Sequence, residues 1–281
     1  MASFRTQSGV ELAFDQEGPL DGRPVVLLHG LTDDRRSYAP VVEQLAARYR
    51  LLAVDLRGHG ESSHAPRYRA VDYAADVADL VRGLVSGPAV IVGHSLGGLT
   101  AACLAGRHAE FVSGLFLEDP PLFEGDAARR ATSPAASRFP ALVARLRDMH
   151  DKRLGVDAFV ELVGATPSPY GGTMAERLSP ARLRIRGDAM MRCDPATIEA
   201  AISGDAWIDY EPTAPLPAPV TVLRADPDFG AVFLPDNATT FAAAVPHAKI
   251  ILVAGVGHSI HGDHAGLPQY LRALNAFLDQ G

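Results

Sequence analysis

The chain has 281 residues, of which 47% are hydrophobic and 21% charged, and carries a formal net charge of −7. That length buries a large core, as one big α/β domain or a domain with an insertion. The acidic balance, with no basic cluster, argues against nucleic-acid partners. Cys103 and Cys193 form neither a disulfide framework nor a metal-ligand spacing, no apolar signal core opens the chain, and no apolar run approaches a membrane span. A cytoplasmic protein with a small-molecule substrate and no membrane partner is expected, as monomer or homodimer.

Residues 3–7 and 11–15 read as a hairpin around Ser8-Gly9. Residues 24–29 and 51–55 are continuous apolar runs, as parallel strands covered on both faces should be. Helical spacing occupies 38–49 and 71–85. A short apolar strand from residue 89 then breaks at Gly93-His94-Ser95-Leu96-Gly97. This G-x-S-x-G turn between strand and helix forces its central residue into a strained conformation and stands the side chain above the sheet. Ser95 is therefore a candidate nucleophile. The Leu96 N–H, at the start of the new helix, is a donor for a developing oxyanion.

Residues 112–118 form the next strand, 219–224 and 249–253 two late ones, and 265–279 a closing helix. The alternation breaks between Pro120-Pro121 and the proline-rich connector Pro212, Pro215, Pro217 and Pro219. We expect 120–211 to be a helical lid over the strand ends, inserted into a core formed by 1–119 and 212–281. Met149, Met174, Met190 and Met191 lie in it with Phe123, Phe139, Phe159 and Tyr170. Each can simply pack the lid's own core, while together they suggest an adaptable apolar pocket. Arg138, Arg145 and Arg153 are candidates for pairing with a substrate carboxylate, or mark a solvated face.

Four motifs in order carry a family resemblance across nearly the whole chain. His29-Gly30 follows the third strand, Asp55-Leu56-Arg57-Gly58-His59-Gly60-Glu61-Ser62-Ser63 the fourth, the Ser95 elbow the fifth, and Gly255-Val256-Gly257-His258 the last. In these motifs the chain resembles the α/β-hydrolase superfamily. The resemblance implies a doubly wound, mostly parallel eight-stranded sheet with the helical lid inserted. It also implies that Leu31 N–H joins Leu96 N–H as an oxyanion hole. Asp55, Arg57 and His59 are then expected to hold loops together, and His94 to pack inside the elbow.

His258 is the expected general base, alone among ten histidines in combining a strand-end position with a G-x-G-H context. His258, His261, Asp263 and His264 cluster in sequence, but not at a helix-borne metal spacing, so neither metal nor cofactor is expected. The acid that orients His258 stays open. In the resembling family it often sits in the loop after the strand 219–224, which selects Asp228 or, because this loop is long, Asp226. Haloalkane and fluoroacetate dehalogenases and zearalenone-type lactonases place it at the preceding strand end, which selects Asp119, with Glu118 beside it. A serine at the elbow points to acyl transfer rather than dehalogenation or epoxide opening. The expected activity is hydrolysis of a carboxylic ester or lactone of a small to medium apolar substrate through an acyl-enzyme. Carbon–carbon bond hydrolysis and a slow-turnover ligand receptor are the alternatives.

Overall fold

A computed structural model describes residues 1–133 and 138–280 of the chain. In order, the first elements are β1 (Ala2–Arg5), β2 (Glu11–Glu17), β3 (Arg23–Leu28), α1 (Ala39–Leu45), β4 (Tyr49–Val54), α2 (Ala70–Leu84), β5 (Ala89–His94), α3 (Leu96–Arg107) and β6 (Val112–Glu118). A helical stretch follows: α4 (Ala127–Thr132), α5 (Phe139–Asp151), α6 (Val156–Ala165), α7 (Met174–Arg177), α8 (Pro180–Arg192) and α9 (Pro195–Ser203). The chain then returns through β7 (Val220–Arg224), α10 (Pro235–Ala244), β8 (Lys249–Leu252) and α11 (Leu267–Leu278).

The eight strands form one sheet in the order β1-β2-β4-β3-β5-β6-β7-β8. The opening hairpin is antiparallel, and β2 joins the rest antiparallel, while β4-β3-β5-β6-β7-β8 run parallel. The reason is visible in the burial of successive residues. Val26, Leu28, Leu52, Val54 and Ile91 enter one core with α2 and α3. Val25, Leu27, Leu51, Ala53 and Val92 enter a second core with α1 and α11. Side chains alternate across a strand, so an unbroken apolar run makes sense only with helices on both faces. The strands expected from the sequence are all present, with ends that differ by at most two residues.

One helix has no counterpart in the sequence reading. In α10 only Asn237 and Phe241 are buried, so its Ala- and Thr-rich sequence carries almost no apolar stripe. Pro235 at its first turn is the local signal that was there to be read.

The stretch between β6 and β7 is helical, as expected for the proposed lid, although its residues 134–137 lie outside the described residues, as does Gly281. Its methionines do not make a pocket. Met149 is buried with Leu146, Phe159 and Ile198, and Met190 and Met191 pack against that cluster. Helices spanning so short a segment must bury their own apolar faces against one another, and these flexible side chains fill that small core. Leu216 and Ala218 anchor the proline-rich connector in the main core.

Candidate active site

The elbow is built by close approach. A Cβ on Gly93 would lie 2.3 Å from Gly97 O, and one on Gly97 would lie 2.0 Å from Leu28 O. Only glycine lets α3 lean this closely on β5 and β3. Between them Ser95 adopts φ 51° and ψ −114°, a conformation L-residues rarely hold. Such strain costs about 1–3 kcal/mol and persists only where the surroundings enforce it. Here the enforcement is a hydrogen bond from Ser95 N–H to Glu118 O at 2.9 Å, tying the elbow to the end of β6.

The turn after β3 abuts this elbow. A Cβ on Gly30 would meet His94 Nδ1 at 2.6 Å and Ser95 Cβ at 3.3 Å. His29 fixes the turn, donating from Nδ1 to Gly30 O and accepting Leu56 N–H at Nε2. Leu31 and Leu96 consequently line the same cavity as Ser95. Leu96 opens α3, whose first N–H groups have no intrahelical partner.

His258 lines the cavity too, on the loop after β8. Its Nδ1–H donates to Asp119 Oδ2 at 2.7 Å. Asp119 is fully buried, at φ 41°, immediately after β6. Its carboxylate also accepts Val232 N–H at 2.8 Å, Phe233 N–H at 3.1 Å and Ala225 N–H at 3.3 Å. Burial, the largest influence on His258, opposes its charged form. The hydrogen bond and charge of Asp119, with the charges of Glu118 and Glu124, outweigh it and hold its pKa above the ordinary histidine value.

Among the described residues, neither acid of the loop after β7 bonds His258. Asp226 is turned the other way: it accepts Asp228 N–H at 3.1 Å, capping a short 3-10 turn, and Gly255 N–H at 2.7 Å. These backbone donors hold the Asp226 carboxyl below its ordinary value. Asp228 is exposed, and its N–H donates to Asp226. The physical reason is the length of this loop. Extended through Phe233, it wraps Asp119 with main-chain donors and leaves its own acids at the outer turn.

The remaining sequence candidates sort as follows. Glu118 does not reach His258; its carboxylate takes the N–H and the ring of His261. His258 and His261 thus face different carboxylates, and among the described residues no three His, Cys, Asp or Glu side chains gather as a metal-binding set. His94 is buried, donates from Nε2 to His258 O at 3.1 Å, and is held neutral by burial and by its histidine neighbours. Asp55 accepts Arg35 N–H and Glu61 N–H, and Arg57 pairs with buried Asp76. His59, pushed down to about 3 by burial, donates to Arg57 O. These three hold loops, as expected.

The cavity has a volume of about 460 Å³. Its wall is mostly apolar, with Tyr68, Leu99, Phe139, Ile202, Trp207 and Val232 among the contributors. Of the three arginines considered, Arg138 lines it, whereas Arg145 and Arg153 do not and are exposed. None of the four methionines between β6 and β7 lines it either. Trp207 and Glu124 are among the wall residues that have no signal in the sequence. Trp207 is fixed by its indole N–H to Pro121 O at 2.8 Å. Glu124, whose carboxyl burial pushes up, follows Pro120-Pro121 in a segment with no periodicity to read. A hydroxyl on a strained turn, an imidazole held by a buried carboxylate and two candidate N–H donors on one apolar cavity can perform nucleophilic attack on a carbonyl.

The sequence model of the alpha/beta hydrolase family matches residues 25–267. A 2-(acetamidomethylene)succinate hydrolase from Mesorhizobium japonicum is 37% identical over 112 residues, covering 39% of this chain and 39% of the relative. In the first curated relatives the matched stretch spans 39%, 32% and 52% of their lengths. Among solved structures, an esterase from Thermogutta terrifontis is 25% identical with a TM-score of 0.72, over 99% of this chain and 98% of that one. An enol-lactonase from Burkholderia xenovorans LB400 shares the fold at 23% identity and a TM-score of 0.73, over 99% and 100% of the two chains.

Proposed function

From the premise that this chain belongs to the alpha/beta hydrolase family, we propose that it is a serine hydrolase of carboxylic esters or lactones. The reading is carried by one observation above all, the 2.7 Å bond from buried Asp119 to His258 on the cavity that Ser95 also lines. In the proposed cycle His258 takes the Ser95 hydroxyl proton as Ser95 Oγ attacks the substrate carbonyl. Leu31 and Leu96 N–H groups hold the tetrahedral oxyanion. His258 then gives the proton to the leaving alkoxide, and water activated by the same imidazole releases the acyl group. Asp119 keeps the imidazole in the required tautomer and supports its charged form. The mostly apolar wall and the cavity of about 460 Å³ favour a small to medium apolar substrate. The helices between β6 and β7 act as its lid, with Trp207 and Phe139 contributing the roof. An esterase and an enol-lactonase among the solved relatives accord with this class.

A panel of p-nitrophenyl esters, lactones and amides tests the proposal on wild type and Ser95→Ala. Steady turnover of an ester or lactone, reduced by about 10⁴-fold or more in Ser95→Ala, is the expected result. A single stoichiometric burst followed by silence identifies a ligand receptor instead. Turnover that survives Ser95→Ala removes the serine mechanism.

A further inference from the structure

The end of β6 carries two acids in succession, and each meets a histidine of the loop after β8. Asp119 takes His258, and Glu118 takes His261, whose Nδ1–H lies 2.6 Å from Glu118 Oε2. Glu118 is wholly buried, and His261 is 1% exposed. The second carboxylate oxygen accepts His261 backbone N–H at 2.9 Å. Among the described residues no arginine or lysine pairs with Glu118. Tyr38 stacks on the His261 ring, with centroids 4.5 Å apart and planes at 11°. His94 stands between the two pairs, 4.8 Å from the His258 ring and 5.1 Å from the His261 ring.

A buried carboxylate is costly to keep, and an apolar contact would join this loop to the sheet at less cost. The placement of Glu118 explains why a charge stands here. Its main-chain oxygen holds Ser95 N–H, and its side chain holds the loop bearing His258. One residue thus fixes the distance between the elbow and the loop of the base. The negative charge also lies one residue behind Asp119, where it favours an imidazolium at His258.

Resting on the serine-hydrolase reading above, we propose that Glu118 and His261 are a second acid–histidine pair that positions His258 against Ser95 and stabilises its protonated form. They are positioning residues, since neither lines the cavity. The charged and titratable groups around the two pairs are few. Asp119, Glu118, Glu124 and His94 face His258. Tyr38 and Tyr270 face Glu118, Asp33 faces Tyr38, and Arg186 faces His94. Burial is the largest influence on His94 and on both tyrosines and keeps all three neutral, and Glu118 stands beside Asp119 and Glu124 among the charges that favour a protonated His258.

The test is the pH dependence of Ser95 phosphonylation by a p-nitrophenyl phosphonate, in wild type, Glu118→Gln, His261→Leu and His261→Asn. Glu118→Gln keeps the side-chain size and removes the charge; its amide oxygen still accepts one of the two His261 donors, while its NH2 cannot accept the other. Its rate should fall about tenfold, and the acid limb should move down by about 0.5–1 pH unit. His261→Leu removes the ring donor that ties Glu118 to the loop of His258, and the limb should shift the same way. His261→Asn replaces the Nδ1 donor with an amide N–H and should restore the wild-type limb. Circular dichroism establishes which variants fold, and if Glu118→Gln does not, the His261 pair decides. A limb unmoved in a folded Glu118→Gln or His261→Leu overturns the proposal. Wild-type protein that is not labelled at Ser95 overturns instead the serine mechanism on which it rests.

Discussion

β6 and β7 are parallel neighbours that both run into acidic loops, yet their carboxylates do different work. At the end of β6, Asp119 is fully buried, receives three main-chain N–H donors and holds His258. Past the end of β7, Asp226 accepts two backbone donors in an exposed turn, and Asp228 stands in solvent. The segment after β7 reaches Asp119 with amides, not with acids. A carboxylate becomes competent to orient a base when its surroundings exclude water and preorganise its oxygens. Chain order and an acidic loop are not enough.

The comparison can be broken most sharply by amide substitutions. Asp119→Asn leaves His258 with the wrong tautomer and should cost about 10³–10⁴-fold in kcat. A smaller effect concerns pH. In the proposed mechanism His258 must be neutral to accept the serine proton, and its pKa lies above the ordinary 6.5. Wild-type kcat/KM should therefore fall as pH drops through that raised value, and in Asp119→Asn the midpoint should move to lower pH. The same shift makes a stability statement: the contribution of His258 is fully present below the unfolded value near 6.5 and is lost as pH rises through the folded one. Denaturant titrations of wild type and His258→Gln across that window measure it. Asp226→Asn should keep kcat within about threefold and lower Tm, because it weakens the link between two loops. Asp228→Asn should change neither beyond experimental scatter. A large kcat loss in Asp226→Asn with little in Asp119→Asn would reverse the comparison.

How much of this was legible in the sequence follows from the range of the forces involved. Val25–Leu28 and Ala89–Val92 announce buried parallel strands because both faces of each must be covered. Gly93 and Gly97 announce the elbow because no other residue permits that backbone approach. That Ser95, His258, Leu31 and Leu96 would share one cavity was legible for the same reason, each sitting in a turn whose composition is forced. The acid was not. Choosing between Asp119, Asp226 and Asp228 depends on how the loop 225–233 curls, and that is set by the burial of Ala225, Ala231 and Phe233. In the sequence Glu118 reads only as a rival to Asp119, since its bond to His261 spans 143 residues and has no local signature. Trp207 and Glu124 were silent as well: a cavity wall assembled from an irregular turn and the helical stretch between β6 and β7 has no period to betray it. The methionines misled because an apolar side chain in a small helical layer packs that layer first.

The central claim is that Ser95 is a nucleophile activated through His258 by Asp119. It is tested most directly by treating wild type, Asp119→Asn and Asp228→Asn with a fluorophosphonate, then locating and timing the adduct by mass spectrometry. The account predicts one adduct, on Ser95, formed at equal rates in wild type and Asp228→Asn and about 10²-fold or more slowly in Asp119→Asn. An adduct elsewhere, or equal rates in all three proteins, would contradict it.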